Sequence, residues 1–394
     1  MRSISATVAR RRRVVGWPLI GALGCVLAAM VPAIPARGAT VPALPASGVS
    51  TSDGSWSTLP MGQPSKQSNT FWELFHAAPG SSRWTLVTPE GTADNGGLVA
   101  GVAGGSIAAG VLPSALLRFS PLSSSSNGGD TWSPAFLPGG LARLPDALAI
   151  DASGAGLAVM QDGKVLAASK NLGSWAPLVS TVTLRKAAPA CAVSAIAAVA
   201  FSAVAAPLVA TGCARSGRVG LFSRTDGMWH LASPSLRIGT GRGATDVLRL
   251  ETSGVTTTLL AAVGGVGHGV LEVAWTQDDS GWTTSPSLPL RSGDSIRASA
   301  VGADGRVAVL VNGPKAAPAV FEVGPGRRWS SLPPPPSGVA GLALPDDALT
   351  LDAQPVDLFS VHGSALSVYE LTPSGTTWSR VQTTQTPISY GSSS

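Results

Sequence analysis

The chain of 394 residues is poor in charge: Asp, Glu, Lys and Arg make up 12% of it, against 44% hydrophobic residues. A sequence this apolar can bury a core, so wholesale disorder is excluded. It is equally poor in the residues of metal and nucleophile chemistry. Three cysteines, four histidines and two tyrosines lie far apart, and no His/Cys/Asp spacing typical of a metal site occurs, so no metal or cofactor is expected. Glycine and proline, by contrast, number 47 and 31. They are spread along the chain rather than clumped, which is the punctuation of many short strands joined by tight turns.

An excess of one sign of charge is confined to the start. Arg2, Arg10, Arg11, Arg12, Arg13 and Arg37 lie in the first 38 positions with no acidic residue among them. The remaining 21 basic residues face 22 acidic ones. A near-neutral body has no broad field to steer it onto phosphate backbones, so nucleic acid is not an expected partner. Arg10–Arg13 form a basic n-region ahead of the apolar stretch Val14–Ile34, and Ala36-Arg37-Gly38 before Ala39 fits a cleavage site. Residues 1–38 are read as a secretory signal peptide or, because the apolar stretch is long, as an uncleaved membrane anchor. A lipoprotein reading through Cys25 is opposed by Ala22 and by the hydrophobic sequence beyond the cysteine. The expectation is a monomer, secreted or held at the cell envelope, that meets a membrane only through this segment.

Two cysteines then remain, Cys191 and Cys213, and an exported chain with two is read as having one disulfide. The residues between them read as two strands about a turn near Ala205-Ala206-Pro207, a hairpin that sets the cysteines opposite one another. A membrane helix over the same stretch is opposed by Pro207 and by weak hydrophobicity.

Tryptophan is where the sequence is most regular. Trp56, Trp84, Trp132, Trp175, Trp229, Trp282, Trp329 and Trp378 recur, the last six intervals being 48, 43, 54, 53, 47 and 49 residues. A period of 40–50 residues with strand-like content marks a repeat array. The clearest unit runs from Asp146 to Ser180. Strands are expected over 147–151, 157–161 and 164–169, with a fourth from Trp175 and an Asp162-Gly163 turn between the second and third. Four antiparallel strands in about 45 residues make one propeller blade. The fold class is therefore all-β, a β-propeller of four-stranded blades over residues 51–390, seven blades being chosen over six or eight. Residues 39–50 are expected to be a linker and 391–394 a tail. Ala348–Ala353 reads as the first strand of the last unit. The incomplete first unit is expected to borrow Trp56–Leu59 and the C-terminal Pro387–Tyr390.

Ser125-Ser126-Asn127-Gly128-Gly129-Asp130-Thr131-Trp132 fits the pattern Ser-x-Asp/Asn-x-Gly-x-Thr-Trp. This resembles the Asp-box (BNR repeat) of sialidase-like and related exported bacterial β-propellers, and degenerate copies precede Trp175, Trp229, Trp282 and Trp378. The resemblance implies that Ser125, Asn127, Gly129, Thr131 and Trp132 build a structural turn between third and fourth strands. It also implies that ligands bind on the opposite face, around the mouth of the central channel. The implied sialidase chemistry lacks its residues. Tyr369 and Tyr390 lie in a third strand and the tail, and the glutamates Glu73, Glu90, Glu251, Glu272, Glu322 and Glu370 form no constellation in sequence.

Asp94, Asp146, Asp246, Asp294 and Asp347 stand where five first strands begin, so a closed ring would gather them at one mouth. Arg249 and Arg297 each follow their Asp by three residues, and His268 and His362 fall in turns on the same face. Two readings stay open: acids that end turns, or an acidic mouth for a cation or basic ligand. The expected function is a non-catalytic binding or assembly platform for a protein, peptide or glycan at the cell surface. The alternative is a diverged glycoside hydrolase that uses carboxylates at the mouth.

Overall fold

The computed structural model describes residues 46–63, 70–89, 94–113, 122–134, 141, 143–213, 219–232, 245–264, 269–277, 281–314, 316–345 and 356–386. The chain divides into two units, Met1–Thr40 and Val41–Ser394, and every described residue belongs to the second. Among them no helix is long and apolar enough to cross a membrane.

Among the described residues the strands fall into seven consecutive four-stranded antiparallel meanders. The first is β1 (Ala46–Thr51), β2 (Gly54–Gly62), β3 (Thr70–Ala77) and β4 (Thr85–Leu86), and the second β5 (Asp94–Ala103), β6 (Ser106–Pro113), β7 (Leu122–Ser125) and β8 (Ser133–Pro134). The third is β9 (Ala147–Ile150), β10 (Gly156–Met160), β11 (Val165–Ser169) and β12 (Ala176–Ser180), followed by a short helix, α1 (Thr181–Ala187), that no sequence signal marked. The fourth is β13 (Ile196–Phe201), β14 (Pro207–Thr211), β15 (Gly220–Thr225) and β16 (Met228–Leu231). In the fifth, β17 (Thr245–Ser253), β18 (Thr256–Val263), β19 (Val270–Gln277) and β20 (Trp282–Thr284) are joined by β21 (Leu288–Pro289), which also pairs with β19. The sixth is β22 (Ser295–Val301), β23 (Val307–Asn312), β24 (Ala319–Val323) and β25 (Ser330–Ser331); the seventh is β26 (Val339–Ala343), β27 (Asp357–His362), β28 (Ala365–Leu371) and β29 (Trp378–Gln385).

Each meander presents apolar side chains on both faces, so neither face can be left in water. Successive sheets therefore stack face to face. Trp72 and Leu74 of the first meander meet Leu98 and Ile107 of the second, and Leu208 and Leu221 of the fourth meet Leu250 and Leu259 of the fifth. The last layer joins the ends of the series: Leu59, Phe75 and Trp84 pack with Leu358, Phe359 and Leu366 of the seventh meander. The fold is a β-propeller. At its centre β1 and β22 pair in parallel, Ala46 opposite Ala298 and Val49 opposite Val301.

Three expectations are corrected here. The first meander owns all four of its strands, because β1 begins at Ala46 inside the expected linker, and Trp56–Leu59 lies in β2. Pro387–Tyr390, invoked to complete that meander, lies outside the described residues. The first strand of the seventh meander is β26, so Ala348–Ala353 follows it in the chain and is likewise outside the described residues.

The hairpin between Cys191 and Cys213 forms as expected, with β13 and β14 antiparallel and the two cysteines disulfide-bonded, Cα atoms 4.6 Å apart.

Candidate functional site

A cavity of about 880 Å³ runs along the inner strands β1, β5, β9, β13 and β17. It reaches Asp146 and Val247 near the starts of these strands. Toward their ends it is framed by first-to-second-strand turns, with Ser52, Gly104, Ala152, Ala205, Gly254 and Ala303 each from a different meander. Alanine is the commonest residue of its walls, beside larger apolar side chains such as Leu98, Ile150 and Phe201 and hydroxyls such as Thr51 and Ser202. No residue of β26 lines it among the described residues, because β1 and β22 pair across that side of the centre.

One strand breaks the apolar lining. Four inner strands carry a one-residue bulge near their start, at Ala197 in β13, Leu248 in β17, Arg297 in β22 and Ala340 in β26. Counting from the bulge aligns the strands. The first and third residues after it, which share a face of the sheet, are Ala198 and Ala200, Ala298 and Ala300, and Gly341 and Ala343. In β17 they are Arg249 and Glu251, and both line the cavity. Glu251 also borders a small pocket with Ser47, Ser57 and Thr58 of the first meander.

Burial pushes the Glu251 carboxyl up to about 7, against the opposing pull of the Arg249 guanidinium. The same burial lowers the Arg249 pKa, partly offset by Glu251. One Arg249 Nη1–H donates to the Leu248 carbonyl at 2.6 Å. Asp146, near one end of the cavity, accepts from the Gly163 N–H at 2.9 Å, and burial raises its pKa. Asp151, at the end of β9, accepts from the Ser153 and Ala155 N–H groups at 2.8 and 3.0 Å. The charged lining is thus three carboxyls and one guanidinium.

The expected mouth residues scatter relative to this cavity. Asp146 and Arg249 line it. Asp94 is the first residue of β5, but its side chain is not described. Asp246 is exposed in β17, and Asp294 closes a tight turn by accepting from the Arg291 N–H at 2.7 Å. Arg297 is exposed because it is itself the bulged residue of β22. An equal offset of three residues therefore does not make Arg249 and Arg297 equivalent; the bulge shifts them apart by one position, which reverses the side chain's direction. His362 is exposed at the end of β27. His268 and Asp347 lie outside the described residues, and Asp347 follows β26 rather than preceding it. Glu251 is the residue that sequence inspection passed over, since only the bulge register reveals that it stands where other inner strands carry alanine.

The motif at 125–132 forms a turn on the side where the first strands end. The Gly129 N–H donates to Ser125 Oγ at 2.9 Å and the Thr131 N–H to Asn127 Oδ1 at 3.0 Å, while Gly129 adopts φ +104°. The turn packs on the first meander: the Trp56 indole donates to the Gly128 carbonyl at 3.1 Å. His76 stacks on Trp56 with ring centroids 4.7 Å apart. Burial holds the His76 imidazole below its ordinary pKa, opposed by the carboxylate of Asp130 in the same turn and by the Asp53 backbone.

Six tryptophans, Trp84, Trp132, Trp175, Trp282, Trp329 and Trp378, stand at or just before the start of a fourth strand and Trp229 is the second residue of one, whereas Trp56 sits in a second strand. Several of their indoles stitch neighbouring meanders, whereas the Trp175 indole donates to the Leu172 carbonyl of its own turn at 3.0 Å. Trp132 donates to the Val87 carbonyl at 2.8 Å, Trp329 to Pro286 at 2.9 Å and Trp378 to Pro333 at 3.0 Å. Each acceptor lies three or four residues beyond the preceding tryptophan of the series. These rings wedge sheets apart and bind backbone rather than facing the cavity.

No family model matches the chain, and no curated protein matches its sequence. Similar solved structures include YCF48 bound to D1 peptide, at 13% identity and TM-score 0.41, with 83% of this chain and 90% of that one covered. The GH74 xyloglucanase from Xanthomonas campestris matches at 15% identity and TM-score 0.49, over 83% of this chain and 52% of that one. The BP39L lectin from Burkholderia pseudomallei matches at 13% and 0.48, over 88% and 98%. At these levels none of them informs the site, whose chemistry is read from its own residues.

Proposed function

We propose that the chain is an exported, seven-bladed propeller of the Asp-box type that acts as a non-catalytic binding platform. Its central cavity takes part of a protein, peptide or glycan partner entering from the face of the first-to-second-strand turns, which is the side of the motif at 125–132 and not the opposite face that the Asp-box resemblance implies. One observation carries this reading: the Arg249–Glu251 pair lies at positions where other inner strands hold alanine or glycine, in a cavity of about 880 Å³. That volume is in the range of ligand sites, about 300–1,000 Å³. Charges at positions that hold alanine or glycine in other inner strands are read as recognition groups. Export rests on the leader-like first 38 residues and on the Cys191–Cys213 disulfide.

The test compares the full chain with Ser253→Trp, which fills the cavity entrance, in retention of components from cell-envelope extracts. A partner held by the unmodified chain and lost by the variant, at unchanged melting temperature, is the expected result. Equal retention by both overturns the reading.

The Glu251 carboxyl, pushed up to about 7 in a cavity it shares with Asp146 and Asp151, favours one second reading. A raised carboxyl is what a glycosidic general acid requires. Hydrolysis of aryl glycosides that Glu251→Gln abolishes would establish it.

A further inference from the structure

We propose that the cavity receives a basic side chain, lysine foremost, from an extended peptide threaded in past the first-to-second-strand turns, with the Glu251 carboxylate as its anchor. This rests on the binding-platform reading and names the chemistry of its partner.

Charge sets the sign of the ligand. Glu251, Asp146 and Asp151 line the cavity with a single cation, Arg249. Arg249 is two residues from Glu251 on the same strand and offsets one carboxylate, so the lining is net acidic once Glu251 ionises above about pH 7. The three acids are spread along the channel rather than gathered. Among the described residues no three His, Cys, Asp or Glu side chains come together as a metal site. A bare metal ion would therefore find one carboxylate at a time, whereas an ammonium group needs only one, together with nearby hydroxyls. Ser47, Ser57 and Thr58, which border the pocket beside Glu251, supply them.

The walls and rim fit the rest of such a ligand. Ala149, Ala198 and Ala200 give the cavity a smooth apolar wall, against which the methylene stem of lysine can lie while its head reaches a carboxylate. Two valines project into water from adjacent turns: Val255, which lines the cavity, is 52% exposed, and Val204, between the lining residues Ala203 and Ala205, is 76% exposed. Apolar side chains at turn tips gain nothing from folding and offer contact to the residues flanking an inserted lysine. Phe201 is the one aromatic residue in the lining, and sugar rings are usually held on aromatic platforms, so a peptide fits better than a glycan.

The experiment uses the full chain at about pH 8, where both Glu251 and lysine are charged, and fluorescein-labelled, amide-capped pentapeptides Val-Ala-X-Ala-Val with X as lysine, norleucine or glutamate, read by anisotropy. Unlabelled chitotetraose serves as competitor. The lysine peptide is expected to bind at least ~10-fold more tightly than either other peptide, and Glu251→Gln to remove most of that difference. Raising salt from about 50 to about 300 mM should weaken the lysine peptide selectively, a check that needs no variant. Norleucine binding as tight as lysine, tighter binding of glutamate, no binding of the lysine peptide, or displacement by chitotetraose would each overturn the assignment. If a different probe binds and Ser253→Trp abolishes it, the platform stands without the basic ligand. If Ser253→Trp leaves envelope capture unchanged, the platform itself falls.

Discussion

The indole N–H of Trp84 donates to the carboxylate of Asp357 at 2.5 Å, joining the fourth strand of the first meander to the second strand of the seventh. Both residues are buried, Trp84 to 1% exposure. The Trp84 ring meets Phe359 edge to face with centroids 4.9 Å apart. The Gln382 amide grips the Trp84 backbone at both its N–H and its carbonyl, at 2.9 and 2.7 Å. Gln382 lies four residues past Trp378, the same offset at which other tryptophans find their acceptor. The junction between the two ends of the series thus keeps the repeat geometry and replaces a carbonyl acceptor with a buried carboxylate.

Trp84→Phe should therefore cost more than Trp132→Phe. Removing the indole N–H leaves the buried Asp357 carboxyl short of a donor, at about 1–3 kcal/mol, against about 1 kcal/mol for the part-buried bond from Trp132 to a carbonyl. Denaturant midpoints of the two variants check this; an equal loss would show that the Asp357 contact adds nothing to closure.

Glu251 makes stability pH-dependent. Its folded-state carboxyl ionises near pH 7, against an ordinary value of 4.5, so between those values the folded chain keeps a proton the unfolded chain has lost. Stability from this group falls as pH rises through that window, by on the order of 3 kcal/mol. Glu251→Gln should flatten the corresponding part of the stability curve, measured by denaturation from about pH 4.5 to 8.

His76 has the opposite sign. Burial beside Trp56 depresses its pKa below 6.5, so the unfolded chain takes up the proton first as pH falls. Stability present above 6.5 is lost below it. In His76→Phe, which keeps a ring against Trp56, that acid-side loss should disappear; a variant with the same acid slope as the parent would refute the assignment.

Reducing the disulfide should destabilise the fourth meander. Cys191 and Cys213 are buried, with 22 residues of separation, and loop closure of that length is worth about 3 kcal/mol. Thermal melts with and without reductant, compared with Cys191→Ser/Cys213→Ser, give the measurement, and the reduced parent should match the double variant.

Gly129→Ala should cost about 1–3 kcal/mol. The φ of +104° disfavours any side chain, and an added Cβ would come within 2.8 Å of Val87. Gly154→Ala, at φ +82° with open space around it, is the control that isolates backbone strain from the clash.

Much of the architecture was legible because it is local. The alternation of apolar residues and turn signals from Asp146 to Ser180 placed all four strands of the third meander within a residue or so. The motif at 125–132 announced its own turn because the hydrogen bonds that shape the turn, from the Gly129 N–H to Ser125 and from the Thr131 N–H to Asn127, each span four residues. The tryptophan spacing marked fourth strands because each ring must fill the same gap between neighbouring sheets. Where local signals were weak, the reading slipped. The glycine- and serine-rich segment Ala46–Thr51 looks like a linker, yet it becomes β1 because it pairs with both β2 and β22.

The candidate site was far less legible, for a physical reason. Acids at strand starts can be counted in sequence, but whether they face a channel depends on register. A single bulged residue sends Arg297 to solvent and leaves Arg249 and Glu251 in the cavity. The amino-acid sequence alone determined the class of fold, the repeat and the disulfide pair, because strand periodicity, turn chemistry and cysteine count are properties of short stretches of chain. The position of the cavity, the closure through Trp84 and Asp357 and the pairing of Arg249 with Glu251 were decided by tertiary structure. Each depends on which strands from distant parts of the chain come to lie side by side, and burial, which shifts the charge of Glu251, exists only once they do.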